Sequence, residues 1–513
     1  MNYQKLGKIL GKIMILEGVL MLAPLAVSLI YREGLRHALA FAVPVLLLVA
    51  LGAVLQLPQP RRQVIYQKEG FALVGLVWIV MTLFGALPFV INGNIPNYVD
   101  ACFEIMSGFT TTGSSIVDDI TVLSHSSLFW RSLSHWIGGM GVLVFVLIFI
   151  PESNEGSSMH LLRAESPGPS VGKIASRMKV TTRILYLIYL GMTALEVIIL
   201  MLDKPIAGYE QDQFFISLLT TFGTAGTGGF GAIPGSLELY HPFSQYVVAI
   251  FMILFGVNFG LYYLLLIGKV REVLRSEEFR TYFLIFVIVL LCVFFSLFAR
   301  LSSLPQAYTA EEAFRHSLFQ VASVMSTTGY TTSDYNVWPM FAQMGLVVLM
   351  FIGSMAGSTA GGIKVSRVVI ACKGTFVNLR RLINPHYVPK TKMEGKTLSE
   401  RTVSDVFAYF TLFGFLFIGA LAVLSLDPIC GQTVTVVSDA GTYTVTHGFY
   451  TNFSAVLANI SNIGPAFEAA GPYLSYSAYS WVSKIVLTFT MLLGRLEILP
   501  VLILFHPKTW RRV

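Results

Sequence analysis

Four short runs of small, uncharged residues carry the chemistry of this chain: Ser107-Gly-Phe-Thr-Thr-Thr-Gly-Ser-Ser115, Gly223-Thr-Ala-Gly-Thr-Gly-Gly-Phe230, Ser326-Thr-Thr-Gly-Tyr-Thr-Thr332 and Ser461-Asn-Ile-Gly-Pro465. Backbone that leaves a helix in such a run offers carbonyl oxygens, and a cage of carbonyls can replace the hydration shell of a cation. Glycine reaches the angles that turn carbonyls to one side at no Cβ cost. Because no run is charged, the cage is dipolar and suits a monovalent ion that must also leave. A single run reads equally well as a Gly/Thr turn. Aligned, however, the runs stack Gly113, Gly228, Gly329 and Gly464, and such repetition is the signature to seek first. In this register Thr112 has Thr227 and Thr328 as counterparts and Ile463 in the fourth place. A hydroxyl layer below the carbonyls would then be threefold.

The elements that position the runs also repeat. The order of apolar span, short segment, run and span reads 71–91, 97–109 and 129–150 in the first unit, then 184–202, 210–222 and 244–267 in the second. The third has 281–300, 311–325 and a span beginning near 341; the fourth has 404–425, 449–460 and 482–505. A bilayer-crossing helix needs about 20 apolar residues, so the short segments predict re-entrant helices. Non-helical backbone at membrane depth is tolerated only where protein or water covers it. The partially negative C-terminal ends of the short helices would favour a cation between them. Two further spans, 13–31 and 38–57, precede the first unit as a hairpin. The predicted fold class is therefore an all-α polytopic membrane protein, with four pseudo-fourfold units of span, re-entrant pore helix and span around one pore, plus an N-terminal two-helix hairpin. Its divisions are 1–68 for the hairpin, then 69–160, 161–270, 271–385 (with an intramembrane loop) and 386–513 for the units.

Composition agrees with a lipid environment. Of 513 residues, 55% are hydrophobic and 12% charged, and the mean hydropathy is +0.69; a soluble protein carries about 25% charged residues. The net charge of +7 fits Lys and Arg gathered in cytoplasmic loops rather than a nucleic-acid partner. The basic linkers 151–183, 268–280 and 364–402 are placed in the cytoplasm by the positive-inside rule, as is the linker with Arg61, Arg62 and Lys68. That gives ten spans with both termini cytoplasmic. The basic start at Lys5, Lys8 and Lys12 resembles a signal peptide but lacks a clear cleavage site, so it reads as a retained helix. Cys102, Cys292, Cys372 and Cys430 are scattered and read as lone packed thiols, with a Cys102–Cys430 bridge the alternative.

Other residues have narrower roles. Gly353-Ser-Met-Ala-Gly-Ser-Thr-Ala-Gly-Gly362 interrupts a span with four glycines, each worth about 1 kcal/mol against a helix relative to Ala. It reads either as a movable loop beside a cavity or as a close small-residue helix contact. The G-x-x-x-x-G spacing of Gly357 and Gly362 is followed by Ile363-Lys364-Val365, and Gly223 to Gly231 lacks a preceding strand, so neither is a nucleotide loop. Arg495 and Glu497 lie in the last span, where a charge is a functional hypothesis by default; a structural ion pair is the alternative. Asp118, Asp119 and Asp334 follow runs and could concentrate cations at an outer mouth. Capping and packing are assigned to Glu17, Glu104 and Glu196. Residues 427–449, around Ser438-Asp-Ala-Gly441, predict a β-hairpin. The nine histidines show no metal-ligand spacing and no nucleophile-base set stands out, which argues against an enzyme.

The Thr-Thr-Thr-Gly run together with Ser134-His-Trp-Ile-Gly-Gly-Met-Gly-Val142, Ala360-Gly-Gly-Ile-Lys-Val-Ser-Arg367 and Gly494-Arg-Leu-Glu-Ile498 resembles the Trk/Ktr/HKT superfamily of potassium transporters, in its bacterial TrkH/TrkG branch. The resemblance covers almost the whole chain. It implies potassium uptake across the bacterial inner membrane by a homodimer with one pore per subunit, gated by a cytosolic TrkA-like nucleotide-binding ring. Nucleotides (ATP/ADP or NAD) would act only through that partner, and no cofactor belongs to this chain. The implied potassium filter is Thr111, Thr112, Gly113, Gly226, Thr227, Gly228, Thr327, Thr328, Gly329, Asn462, Ile463 and Gly464. The implied gate is Gly353, Gly357, Gly361, Gly362 and Lys364, with Arg495 as an electrostatic barrier. In plant relatives serine at the first filter position accompanies sodium, so Gly113 points to potassium by analogy. The basic stretch 364–401 is either a docking surface for the partner or simple anchoring. A symporter coupled to protons or sodium is the alternative within transport, and a membrane-embedded enzyme the remote one.

Overall fold

The computed structural model describes residues 1–58, 66–141, 178–300, 308–384, 390–496 and 498–510. Arg61, Arg62, residues 142–150 of the expected first-unit span, most of linker 151–183, the division at 160/161, residue 385 and Glu497 lie outside the described residues.

Helices Tyr3–Leu20 and Leu22–Ile30 run on as one long element past Met21, and Leu35–Gln56 packs back along it. Small residues let the two backbones approach: a Cβ on Gly11 would press on the Gly52 carbonyl, and the reverse holds for Gly52. Gly34, at φ 98°, opens the turn between them.

Four short helices follow at Tyr98–Phe109, Gln213–Gly226, Ala310–Met325 and Phe449–Ile460. Each begins near the surface and sinks into protein. Asn97 caps the first by accepting from the Val99 amide (2.9 Å), and Thr309 with Glu312 forms a capping box on the third. The flanking pairs are Gln67–Gly85 with His125–Gly139, Met178–Leu200 with Pro242–Phe255, Glu277–Phe298 with Met340–Ile352, and Glu400–Leu424 with Trp481–Leu496. The second, third and fourth short helices each pack against the second flanking helix of the unit before. Trp481–Leu496 in turn packs on the first short helix, so the chain closes on itself.

Six described helices are long and apolar enough to cross a membrane, seven if a bent pair is counted. The ten expected crossings differ from this because several second flanking helices break. The span expected at 244–267 bends by 94° between Pro242–Phe255 and Phe259–Leu266. There the Asn258 side chain accepts from the Gly260 amide (2.7 Å) and starts a new helix. Met340–Ile352 stops after 13 residues at Gly353, and His125–Gly139 is followed by Gly141 at φ 78°.

Thr433–Ser438 pairs with Gly441–Thr446 as the predicted hairpin, and a second, unpredicted hairpin joins Lys392–Met393 to Lys396–Thr397. All four cysteines are free thiols, so Cys102 and Cys430 are not bridged.

Candidate functional site

All four short helices end the same way. The amides of Thr112, Gly228, Thr328 and Ile463 each donate to a carbonyl five residues back, on Ser107, Gly223, Ser323 and Ala458, at 2.8 Å. The residue before each is left-handed: Thr111, Thr227, Thr327 and Asn462 have φ between 54 and 56°. This is a Schellman ending, which normally uses glycine. A β-branched residue there is a genuine outlier, costing roughly 1–3 kcal/mol, and such strain gathers at functional sites.

Two residues later a glycine again takes positive φ: Gly113, Gly229, Gly329 and Gly464, at 81, 72, 86 and 98°. A Cβ on Gly113 would overlap the carbonyl oxygen of Gly228; one on Gly229 would overlap that of Thr328, one on Gly329 that of Ile463, and one on Gly464 would press on that of Thr112. Each run thus leans on the next in cyclic order, and the fourth returns to the first. The matching position in the second run is Gly229 and not Gly228, one residue beyond the expected register. Thr112 therefore stands level with Gly228, Thr328 and Ile463, which leaves two hydroxyls in that layer instead of three. Those two are engaged sideways, Thr112 with Thr110 (2.8 Å) and Thr328 with Ser326 (2.7 Å). Gly226 ends its helix one residue before Thr227.

Beneath the ring lies the segment 353–364. Gly353, Gly357 and Gly362 have φ of 40, 75 and 69°, and the segment is a folded loop rather than a small-residue helix. The Gly361 amide donates to Thr327 Oγ1 (2.7 Å), and the Gly361 backbone packs on Asn462. Met355 donates to the Gly256 carbonyl (3.2 Å) and Phe259 to that of Gly357 (3.0 Å), seating the loop on the bend of the second unit. Lys364 Nζ, buried, donates to the Ala360 carbonyl (2.6 Å). Arg495 joins three parts: it donates to Thr111 Oγ1 (3.1 Å), to the Thr359 carbonyl (2.7 Å), and to the carbonyls of Gly138 and Gly139 (2.7 Å to the latter).

The description "Cation transport protein", that of the TrkH family model, matches residues 37–512. The chain belongs to the TrkH family. It is 33% identical over the full length of both chains to the Trk system potassium uptake protein TrkH of Escherichia coli K12. It is 28% identical to TrkG of the same strain, over 98% of this chain and 97% of that one. The crystal structure of the potassium transporter TrkH from Vibrio parahaemolyticus superposes with a TM-score of 0.83 at 29% identity, covering 100% of both chains. These relatives are named as transporters, which removes the enzyme alternative.

Buried side chains hold the runs of this TrkH-family chain from behind; the sequence marked Glu104, His135 and Asn462 without these contacts, and Arg131 went unnoticed. Arg131 forms a buried ion pair with Glu104, donates to Ser115 Oγ (3.0 Å) and the Gly231 carbonyl (3.3 Å), and lies over the Phe230 ring. Glu104 also accepts from the Ile116 amide (2.8 Å). One ion pair thus spans the first two runs, more than the capping and packing role expected for Glu104. Glu17 and Glu196 are buried. His135 bridges the same two runs, with Nδ1 on the Gly108 carbonyl (2.8 Å) and Nε2 facing the Phe230 amide (3.3 Å). Asn462 donates to Thr112 Oγ1 and to the Met491 carbonyl, both at 2.9 Å.

Above the ring an outward cavity of about 210 Å³ has Gly113, Gly229, Gly329 and Pro465 in its lining. Asp118 and Asp119 line it too, whereas Asp334 is fully buried. Asp334 caps the Asn336 amide (3.1 Å) and accepts from Tyr443 of the hairpin, and its own amide donates to Asp439 (3.3 Å). The outer insert is therefore a clasp on the third run. Tyr473, itself part of the lining, donates to Glu238 (2.8 Å). Burial, reinforced by neighbouring carboxylates, raises the carboxyls of Glu238 and Asp439 above their ordinary values.

Proposed function

We propose that this chain takes up potassium across the bacterial inner membrane through a channel-like pore whose selectivity filter is the ring of four runs. The closed cycle in which each glycine abuts the next run's carbonyl carries this reading. A cation stripped of water needs oxygens from several sides at once, and carbonyl dipoles supply them without the tight grip of a carboxylate. The relatives named as potassium uptake proteins make potassium the ion. The loop 353–364 with Lys364 and Arg495 is the gate, because it touches the third and fourth runs directly and the first through Arg495. A guanidinium beneath the filter is an electrostatic barrier to a cation. A cytosolic nucleotide-binding ring opens the gate, two copies of the chain assemble side by side, and both termini face the cytoplasm.

Rubidium flux into liposomes holding only this chain, competed with sodium and measured with and without the nucleotide-loaded partner, tests the reading. Passive rubidium flux that resists sodium and rises with the partner is expected. No flux of any monovalent cation in any arm would sink the pore, and flux that requires a proton or sodium gradient would replace it with symport.

A further inference from the structure

Glu278 sits one residue into helix Glu277–Phe298, nearly fully buried. Its Oε1 accepts the amide of Ala356 (2.8 Å), at the start of the glycine-rich loop, and the amide of Ser366 (3.2 Å), in the first turn of helix Val365–Ile383. One carboxylate oxygen therefore ties both ends of the loop together. The site suits an anion, because the amides at a helix N-terminus have no partner within their own helix.

Glu278 is itself placed by a second carboxylate. Glu394 Oε1 accepts from Ser276 Oγ (2.9 Å) and from the amides of Glu277 (2.9 Å) and Glu278 (3.2 Å). Glu394 occupies the turn of the Lys392–Thr397 hairpin with φ 51°, beside Gly395 at 72°. A glutamate is unusual in that turn position, where Asn, Asp and Gly lead, and its carboxylate is what the helix start uses. Lys373 fixes the hairpin from the other side by donating to the Lys392 carbonyl (2.9 Å) and pairing with Glu277. Two carboxylates in series thus connect an exposed hairpin to the loop beneath the ring.

We propose that Glu278 is the positioning residue that latches the 353–364 loop in its resting place, and that Glu394 holds the latch in register from the hairpin. The inference rests on the reading of that loop as the gate. Opening requires Ala356 to leave Glu278 while Ser366 stays with its helix, so the bond to Ala356 is the one that yields. Movement of the hairpin draws Glu394 off the helix start and shifts Glu278 with it, which gives a cytosolic partner a lever that does not touch the pore.

Two measurements on the full-length chain test this: amide hydrogen exchange of the 354–366 region in detergent, and basal rubidium flux in liposomes without partner. Glu278→Gln keeps the size of the side chain and removes its charge. It is expected to speed exchange in that region and raise basal flux at least about tenfold, the size of one weakened charge-assisted hydrogen bond. Glu394→Ala, at an exposed position, is expected to change both in the same direction by less. Unchanged exchange in Glu278→Gln would overturn the latch. Faster exchange with unchanged flux would instead show that the loop moves without gating, and the gate reading would fall while the tether stands. No effect of Glu394→Ala on either readout would remove the hairpin from the relay.

Discussion

At the scale of single residues the site is a matter of where a Cβ can fit. Gly113 and Gly229 both combine left-handed φ with a backbone carbonyl where the side chain would begin, and backbone cannot step aside as a flexible side chain can. Gly229→Ala is therefore expected to damage potassium-over-sodium selectivity as severely as Gly113→Ala, while Thr112→Ser, which keeps the hydroxyl, changes it little. Competition of rubidium uptake by sodium in the three variants measures this, and an unharmed Gly229→Ala would restore the other register. The sequence could not distinguish the two, because Gly226, Gly228 and Gly229 crowd one short run and only backbone angles tell which carries the strain. Arg495 was legible as a costly intramembrane charge; its partners were not, since they come from three distant segments. Arg495→Gln is expected to raise basal rubidium conductance in liposomes, and unchanged flux from a folded variant would make the residue a structural brace.

At the scale of elements, the four short helices were readable to within about four residues at each end. The segments expected at 311–325 and 449–460 are Ala310–Met325 and Phe449–Ile460. Polar starts and Gly/Thr stops mark them clearly. The bend after Phe255 was hidden, because the apolar residues on both sides satisfy a simple hydropathy window and only Asn258 betrays a new helix start. The Glu104–Arg131 pair was hidden for another reason: 27 residues separate partners on different helices. Removing one member of a buried pair strands the other, at about 3–5 kcal/mol, whereas an apolar replacement of both can cost less. Glu104→Gln is accordingly expected to lower the thermal unfolding temperature in detergent more than the double variant Glu104→Leu/Arg131→Met. A larger loss in the double variant would show that the arginine's contacts to Ser115 and Gly231 outweigh the pair.

Taken whole, the molecule sets a carbonyl ring between a cavity lined by Asp118 and Asp119 and a loop held by buried cations. The raised carboxyls of Glu238 and Asp439 give this arrangement a pH dependence. A folded-state value above the unfolded one means that the fold binds the proton more tightly, so the ionised groups oppose folding at neutral pH and stop doing so as pH falls through the raised values. The same protonation removes negative charge from behind the mouth, while Asp119 of its lining, held below its ordinary value by the hydrogen bonds from Thr121, keeps its charge. Lowering the outer pH from about 7 to about 5 is expected to raise the KM for rubidium with little effect on the maximal rate, and Glu238→Gln/Asp439→Asn should flatten that response. A fall in maximal rate at unchanged KM would place the sensitive group elsewhere. The cyclic contact of the four runs has one more consequence. Four identical subunits around an axis must accept every mutation four times over, whereas here each quarter is encoded separately. Ile463 beside Thr112 and Thr328, and Asn462 beside three threonines, are corners that differ from the rest. Selectivity in such a chain can be adjusted in single steps, and replacing the corners one by one would yield a graded series that a homotetramer cannot provide.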